Sequence, residues 1–385
     1  MREIYFDNSA TTKPYPEVVE LMMKTLTEDY GNPSSKHTKG FDAEKYFRHA
    51  REQVAATLKV KPKEIFFTSG GTESDNTVIF GTAMAKRKQG KHIISSAFEH
   101  AAIYRPLDVL VELGYEVTYL PVDAKGHISL DDLRAAIRPD TILVTIMTVN
   151  NEMGAIEPIE EIGRVVKECN PNTWFHTDAI QAYGKLPLRP KLQHVDMMSV
   201  SGHKLHGPKG VGFLYKDEKI RLRPLIYGGG QQEDMRSGTH DVPGIAGLGL
   251  AAEMACAHLE EKKAALESLK DYFIDSLETL DGVTINSERG ALSAPNILSV
   301  SFEKVRAEVL LHALEEKGIY VSSGSACSSN HPDISGALKA IGVKPELLDS
   351  TIRFSFCEEN TKEEVDLCMD ALRELLPVLR RFTRF

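Results

Sequence analysis

FFTSGGTESDN, residues 66–76, leaves a β-rich run, crosses Ser-Gly-Gly-Thr and enters a helical pattern. Glycines let the backbone approach an anion, and the free amides of a helix start, with the Thr72 hydroxyl, can then bind a phosphate. The same residues also suit a capped turn, with Thr72 as N-cap and Asp75 as its partner three residues on. Both readings require a strand to run directly into a helix, and that junction recurs along the chain.

The runs EIFFT (64–68), HIISS (92–96), EVTYL (116–120), TILVTIMT (141–148), TWFHT (173–177), DMMSVS (196–201) and VGFLY (211–215) alternate with helical patterns. Short apolar strands buried on both faces and separated by helices predict an α/β domain built on a mainly parallel, seven-stranded sheet. Ligands of such sheets sit beyond the carboxyl ends of the strands, in the turns that lead to helices. Beyond YGGGQQEDMRSGTH (227–240), the Ala/Leu/Glu/Lys-rich stretch from Pro243 to about Leu280 reads as a long helix bridging two domains. The order strand NILSVSF, helix VRAEVLLHALEEKG, strand IYVSS, strand TIRFSF and final helix then predicts a smaller α+β domain. We expect residues 16–256 to form the large domain, and residues 1–15 with 257–385 the small one.

A chain of 385 residues exceeds the ~250–300 at which single cores split. A formal charge of −9 disfavours nucleic acid and acidic membrane surfaces as partners, and points to small molecules. No apolar run approaches the roughly 20 residues of a bilayer span, and the amino terminus lacks a signal-peptide core, which predicts a cytoplasmic protein. Five cysteines (Cys169, Cys256, Cys327, Cys357, Cys368), spread widely and without a CxxC pair, suggest neither a disulfide framework nor a zinc site.

Two turns carry chemistry. SGHKLHGPKGVGFLY (201–215) places Lys204 in a Ser/His/Gly cluster just before a strand. Such clusters are ordinarily solvated turns, but a lysine that loses its proton in a desolvated site is a nucleophile suited to a Schiff base. In FHTDAIQAYGK (175–185), Asp178 closes a strand; it can cap the following helix, or hold a cationic ring nitrogen. A lysine for an aldehyde, a carboxylate for a ring nitrogen and a phosphate cradle together match pyridoxal 5′-phosphate. The chain has neither a GxGxxG after its first strand nor a GxxxxGK[ST] loop, which disfavours nucleotide sites.

Ten segments in order, DNSATT, GNPSSKH, SGGTESDN, EH, VNNEMGAIEPI, FHTDAIQAYGK, SVSGHKLHGPKGVG, RSGTH, SSGSACSS and IRFSF, resemble the NifS/IscS-type cysteine desulfurases, class V aminotransferase relatives of fold-type I. The resemblance implies that Lys204 forms the Schiff base and Asp178 binds the pyridinium nitrogen, with Gln181 and Asn151 near the ring hydroxyl. His100 would stack on the ring and transfer protons. Thr72, Ser201 and His203, with the Gly71 backbone, would hold the phosphate, and Thr239 would reach it from the other subunit of a homodimer. Arg353 would clamp the substrate carboxylate, with Asn151 beside it, a task suited to a planar two-donor fork.

Cys327 lies in VSSGSACSSNHPD (321–333), a polar stretch where a packed structural thiol is not expected. It would take sulfur from L-cysteine, leaving alanine, and pass it to an acceptor or scaffold protein for iron–sulfur clusters, thio-cofactors or tRNA. His100, titrating near neutrality, would accept the thiol proton. The other four cysteines read as packing residues. The SGSAC form resembles the NifS/IscS group, whereas ISGAL (334–338) departs from the Pro-Ser-His/Tyr-Val-Leu-like segment common there, and that bears on which acceptor docks. Selenocysteine lysis or another class V reaction is the alternative within enzymes, and a non-catalytic sulfur-handling scaffold the alternative outside them.

Overall fold

The computed structural model describes residues 2–323 and 335–382. Its strands are, in chain order, β1 (Ile4–Tyr5), β2 (Ile65–Thr68), β3 (His92–Ser96), β4 (Glu116–Leu120), β5 (Thr141–Thr145), β6 (Trp174–Asp178), β7 (Met197–Ser201), β8 (Gly212–Lys216), β9 (Val283–Ile285), β10 (Ile297–Phe302), β11 (Ile319–Tyr320), β12 (Ser322–Ser323) and β13 (Thr351–Ser355). Every one of the seven β-rich runs named above becomes a strand of one seven-stranded sheet, in the order β2-β8-β7-β6-β5-β3-β4. Only β8 runs against its neighbours in that sheet, pairing antiparallel with β2 and β7. The reason is burial: β3, β5, β7 and β8 are buried at every residue, as strands covered by helices on both faces must be.

Helices Thr38–Leu58 and Val242–Cys256 cover one face, and their apolar sides join Phe67, Val144, Phe175, Val200 and Phe213 in the main core. Helices Gly71–Lys86 and Ala101–Glu112 cover the other with Val78, Ile79, Ile103 and Leu107. The stretch expected as one long helix is two, Val242–Cys256 and Leu259–Leu277. It breaks where His258 takes a left-handed conformation at φ 53°, and the helices meet at 72°. A further sheet, β12-β13-β10-β9, packs with Leu266–Leu277 and the last helix around Phe6, Phe273, Phe354 and Phe356. Phe6 makes edge contacts with Phe356 (ring centroids 5.3 Å apart) and Phe354 (6.5 Å), so the amino-terminal strand closes this second core. The same arm then carries Asp7, Ser9 and Ala10 towards the ends of β6 and β7. No single helix among the described residues is long and apolar enough to cross a bilayer.

Candidate active site

At the carboxyl ends of β6 and β7, a cavity of about 440 Å³ is lined by Gly71, Thr72, His100, Asn151, Asp178, Gln181, Ser201, His203, Lys204 and Arg353, together with Asp7, Ser9, Ala10 and Met147. The location obeys the rule for open α/β sheets, and nearly all of the sequence candidates converge there. Thr239 is exposed and does not line this cavity. Cys327 lies outside the described residues.

Lys204 ends a short 3-10 turn, Gly202–Lys204, that follows β7 directly. Its ammonium donates to the carbonyl of Ala10 at 2.8 Å and to that of Ser9, so the amino-terminal arm supplies partners for a charge that would otherwise be poorly solvated. Lys185 Nζ in turn donates to the Lys204 carbonyl at 2.8 Å, which fixes the turn from behind.

Asp178 ends β6 and accepts the Ile180 amide at 2.9 Å, but residues 180–185 form turns and not the helix it was expected to cap, so the carboxylate closes a turn while facing the cavity. Burial pushes its carboxyl up to about 6, against the opposing pull of that amide and of Lys204. Close to it lie two acids to which sequence reading gave no place in this site. Asp75 is fully buried, and burial reinforced by the Asp178 charge drives it well above the carboxylate range. Glu99 accepts from Ser96 Oγ at 2.7 Å and from the Met147 amide at 3.0 Å, and burial pushes it up to about 8. Of three carboxyls crowded here, Asp178 keeps its charge most readily and is the one that lines the cavity.

The cradle at residues 69–72 differs in detail from a Thr72-capped turn. The helix begins at Gly71, with Gly70 as N-cap at φ 147°, where side chains are strained. Thr72 therefore sits inside the first turn, exposed at the cavity, and Asp75 points into the core instead of closing a capping box. A Cβ on Gly71 would stand 2.1 Å from Ile180 Cδ1, which keeps that approach to the helix start bare. Ser201 and His203 face it from β7 and the turn beyond. His203 Nδ1 pairs with Thr11 Oγ1 at 3.2 Å, and burial, aided by Lys204, Lys209 and Lys185, lowers this imidazole to about 4, leaving it neutral.

His100 is the N-cap of Ala101–Glu112: its Nδ1 accepts the Ala102 amide at 3.1 Å. Burial first, then Lys204, lowers its pKa, which favours the neutral ring. With Nδ1 occupied as an acceptor, the neutral ring carries its proton on Nε2, so Nε2 is a donor. Gln181 Nε2 donates to Ser9 O at 3.0 Å, whereas its Oε1 is buried without a protein partner among the described residues. Arg353, 5% exposed, donates through Nη1 to the Asn151 carbonyl at 2.9 Å and through Nη2 to Asp7, while Nε is buried and has no partner among the described residues.

Of the remaining thiols, Cys368 is buried and Cys357 half-buried, its pKa pushed up to about 12 chiefly by burial, so both pack as expected. Cys169 is exposed, contrary to a packing role. The part of ISGAL that is described forms the start of a short helix, Gly336–Ala340, whose Ala337 and Leu338 pack on Phe98, Met147 and Met153. Ser335 caps that helix and also bonds Glu152, next to Asn151. That departure therefore abuts the wall of the cavity.

The aminotransferase class-V family model matches residues 4–368. The chain is 44% identical to a protein named cysteine desulfurase IscS from Methanosarcina thermophila, over 99% of this chain and 94% of that one. Among solved structures, a NifS-like protein superposes with TM-score 0.93 at 41% identity, covering 98% of this chain and all of the other. A structure titled SspA in complex with cysteine superposes with TM-score 0.81 at 35% identity, covering 92% and 99% of the two chains.

Proposed function

The chain belongs to the aminotransferase class-V family, in its NifS/IscS-type cysteine desulfurase branch, and from that premise we propose that it uses pyridoxal 5′-phosphate to move sulfur from L-cysteine onto Cys327, leaving alanine. The observation that carries this reading is the meeting of Lys204, Asp178, the Gly71 helix start and Arg353 around one cavity. The residues fit the cofactor: a helix start kept bare by Gly71, a buried Gln181 Oε1 without a partner among the described residues, and the Asp178 carboxylate lining the same cavity match a phosphate, a ring hydroxyl and a ring nitrogen.

Bound through Lys204, pyridoxal phosphate supplies an electron sink for charge developing at the substrate Cα. Asp178 keeps the ring nitrogen protonated, which requires its own carboxyl to be ionised. The Gly71 and Thr72 amides, with the Thr72 and Ser201 hydroxyls and His203, take the phosphate. Arg353 takes the substrate carboxylate through the edge that bears Nε, which has no partner among the described residues. Lys204, released from the Ser9 and Ala10 carbonyls, is the amine placed to move the Cα proton, and His100 presents Nε2–H as a proton donor. The Cys327 thiolate forms an S–S bond to the substrate sulfur as the C–S bond breaks, and the carbon side takes up a proton and leaves as alanine.

Further parts of the reading are a homodimer in which Thr239 completes the partner's phosphate site, the division into domains 16–256 and 1–15 with 257–385, a cytoplasmic location, and delivery of the persulfide to an acceptor or scaffold protein. The test is stoichiometric: purified enzyme given cysteine without reductant forms one alanine per protein-bound persulfide. Alanine without persulfide, or pyruvate in its place, defeats the proposal.

A further inference from the structure

RSGTH (236–240) contains an arginine to which neither the resemblance nor the cavity assigns a role. Arg236 donates from Nε to Glu73 Oε1 at 3.0 Å and from Nη2 to Glu73 Oε2 at 3.3 Å. Glu73 is in the first turn of Gly71–Lys86, directly after Thr72, and its Oε2 also accepts the Ser69 amide at 2.8 Å. Its side chain is 9% exposed and that of Arg236 27%, so water screens the pair only in part.

A carboxylate in a first helical turn ordinarily favours the helix dipole. Beside an incoming phosphate the same carboxylate repels, and at partial burial that repulsion is felt over several ångströms. A planar guanidinium paired to both oxygens cancels it. The pair also anchors the loop. Gly238 N donates to Gln231 Oε1 at 2.8 Å, and the His240 ring packs on Phe47 with centroids 4.3 Å apart. Thr239 is thus presented, exposed, between two fixed points.

We infer that Arg236 is a positioning residue of the cofactor site, which neutralises Glu73 beside the phosphate cradle of its own subunit and holds the loop that offers Thr239 to the partner. The inference rests on the reading of Gly71 and Thr72 as a phosphate site and of Thr239 as a residue acting across a dimer.

The experiment measures cofactor dissociation from the holoenzyme, by visible absorbance after dialysis against graded pyridoxal phosphate, with light scattering to follow assembly. Arg236→Ala weakens retention about tenfold or more, Arg236→Lys less, and Glu73→Gln with Arg236→Ala regains most of the loss because the stranded charge is gone. Glu73→Gln alone, which keeps the amide contact and leaves Arg236 facing the phosphate, retains cofactor at least as tightly as the parent, and it reports even where Arg236→Ala does not fold. Parental retention in Arg236→Ala, no recovery in the double variant, or a tenfold loss in Glu73→Gln each overturns the inference. Thr239→Ala in the same assay separates the two levels. Parental retention there removes the partner-residue reading while the Arg236 result stands; weakened retention there with Arg236→Ala unaffected removes the inference alone.

Discussion

Arg353 Nη2 and a carboxylate oxygen of Asp7 stand 2.9 Å apart, so the guanidinium assigned to a substrate carboxylate already holds one from its own chain. Burial raises the Asp7 pKa and Arg353 opposes that rise, so the aspartate depends on this partner to stay ionised. A bound substrate then either shares the guanidinium with Asp7 or displaces it.

Two variants with opposite signs follow. Arg353→Ala removes a charge-assisted contact of ~1.5 to 3 kcal/mol and raises the KM for cysteine roughly ten- to a hundredfold, with a smaller change in kcat. Asp7→Asn relieves the competition and lowers KM a few-fold. Steady-state kinetics decide, and an Asp7→Asn enzyme with a raised KM would show that Asp7 orients the arginine and does not compete with substrate.

Lys204→Ala abolishes the visible absorption of bound cofactor, because, of the other lysines near His203, Lys185 is spent on the Lys204 carbonyl and Lys209 is exposed. Borohydride reduction followed by peptide mapping checks this. Label recovered on Lys185 in the variant, with the band intact, moves the Schiff base elsewhere.

The strands were legible because a run such as TILVT is buried at all five positions, and such burial leaves an unbroken apolar signature. Asp178 and Lys204 were legible for a related reason: a polar residue that ends an apolar strand, or stands in the turn directly after one, stands out. The displaced cap at residue 70 was not, since a φ of 147° leaves no trace in composition beyond a glycine that many turns share. Asp75 was read as a capping partner, and Glu99 was given no role, because a buried acid looks like an exposed one until the covering elements are in place. The Asp7–Arg353 and Glu73–Arg236 pairs join residues 346 and 163 positions apart, and periodicity carries no information at that range. His100 was found by resemblance, but the direction of its hydrogen bond depends on the turn that it caps.

Buried acids set the pH response of the cofactor-free protein. Glu152 is pushed up to about 7, and Glu99 and Glu157 to about 8, each chiefly by burial. A carboxyl raised in the fold is destabilising above its folded pKa, and that penalty lifts as pH falls through it, by about 1.4 kcal/mol per unit for each titrating group. The apo protein therefore melts at a higher temperature at pH 6 than at pH 8, and Glu99→Gln flattens the difference. Cofactor retention runs the other way. Asp178, at about 6, must be ionised to hold a ring cation, so retention weakens as pH falls through that value. Calorimetry of the apo form and absorbance of the holo form measure the two slopes; slopes of the same sign would contradict the assignment of these groups.

The last prediction separates desulfuration from other reactions of this scaffold. A free thiol with a pKa of ~8.5 is only a few per cent thiolate at neutral pH, so Cys327 needs a proton acceptor or a favourable field. His100 is a poor acceptor as the site stands, because its Nδ1 is held by the Ala102 amide and Nε2 carries the proton. Among the described residues that line the cavity, the Lys204 amine is the base we assign to this proton. Cys327→Ser should leave the visible absorption and cysteine binding intact, since neither uses the thiol, while alanine formation and protein-bound persulfide both collapse. Cys357, half-buried with its pKa near 12, cannot substitute. His100→Gln, which keeps a donor and removes the base, should slow alanine release without shifting the pH at which persulfide forms, whereas a shifted persulfide profile would return the thiol proton to His100. Alanine formed by Cys327→Ser at the parental rate, with no persulfide on any cysteine, would replace the desulfurase mechanism with a lyase or transaminase one.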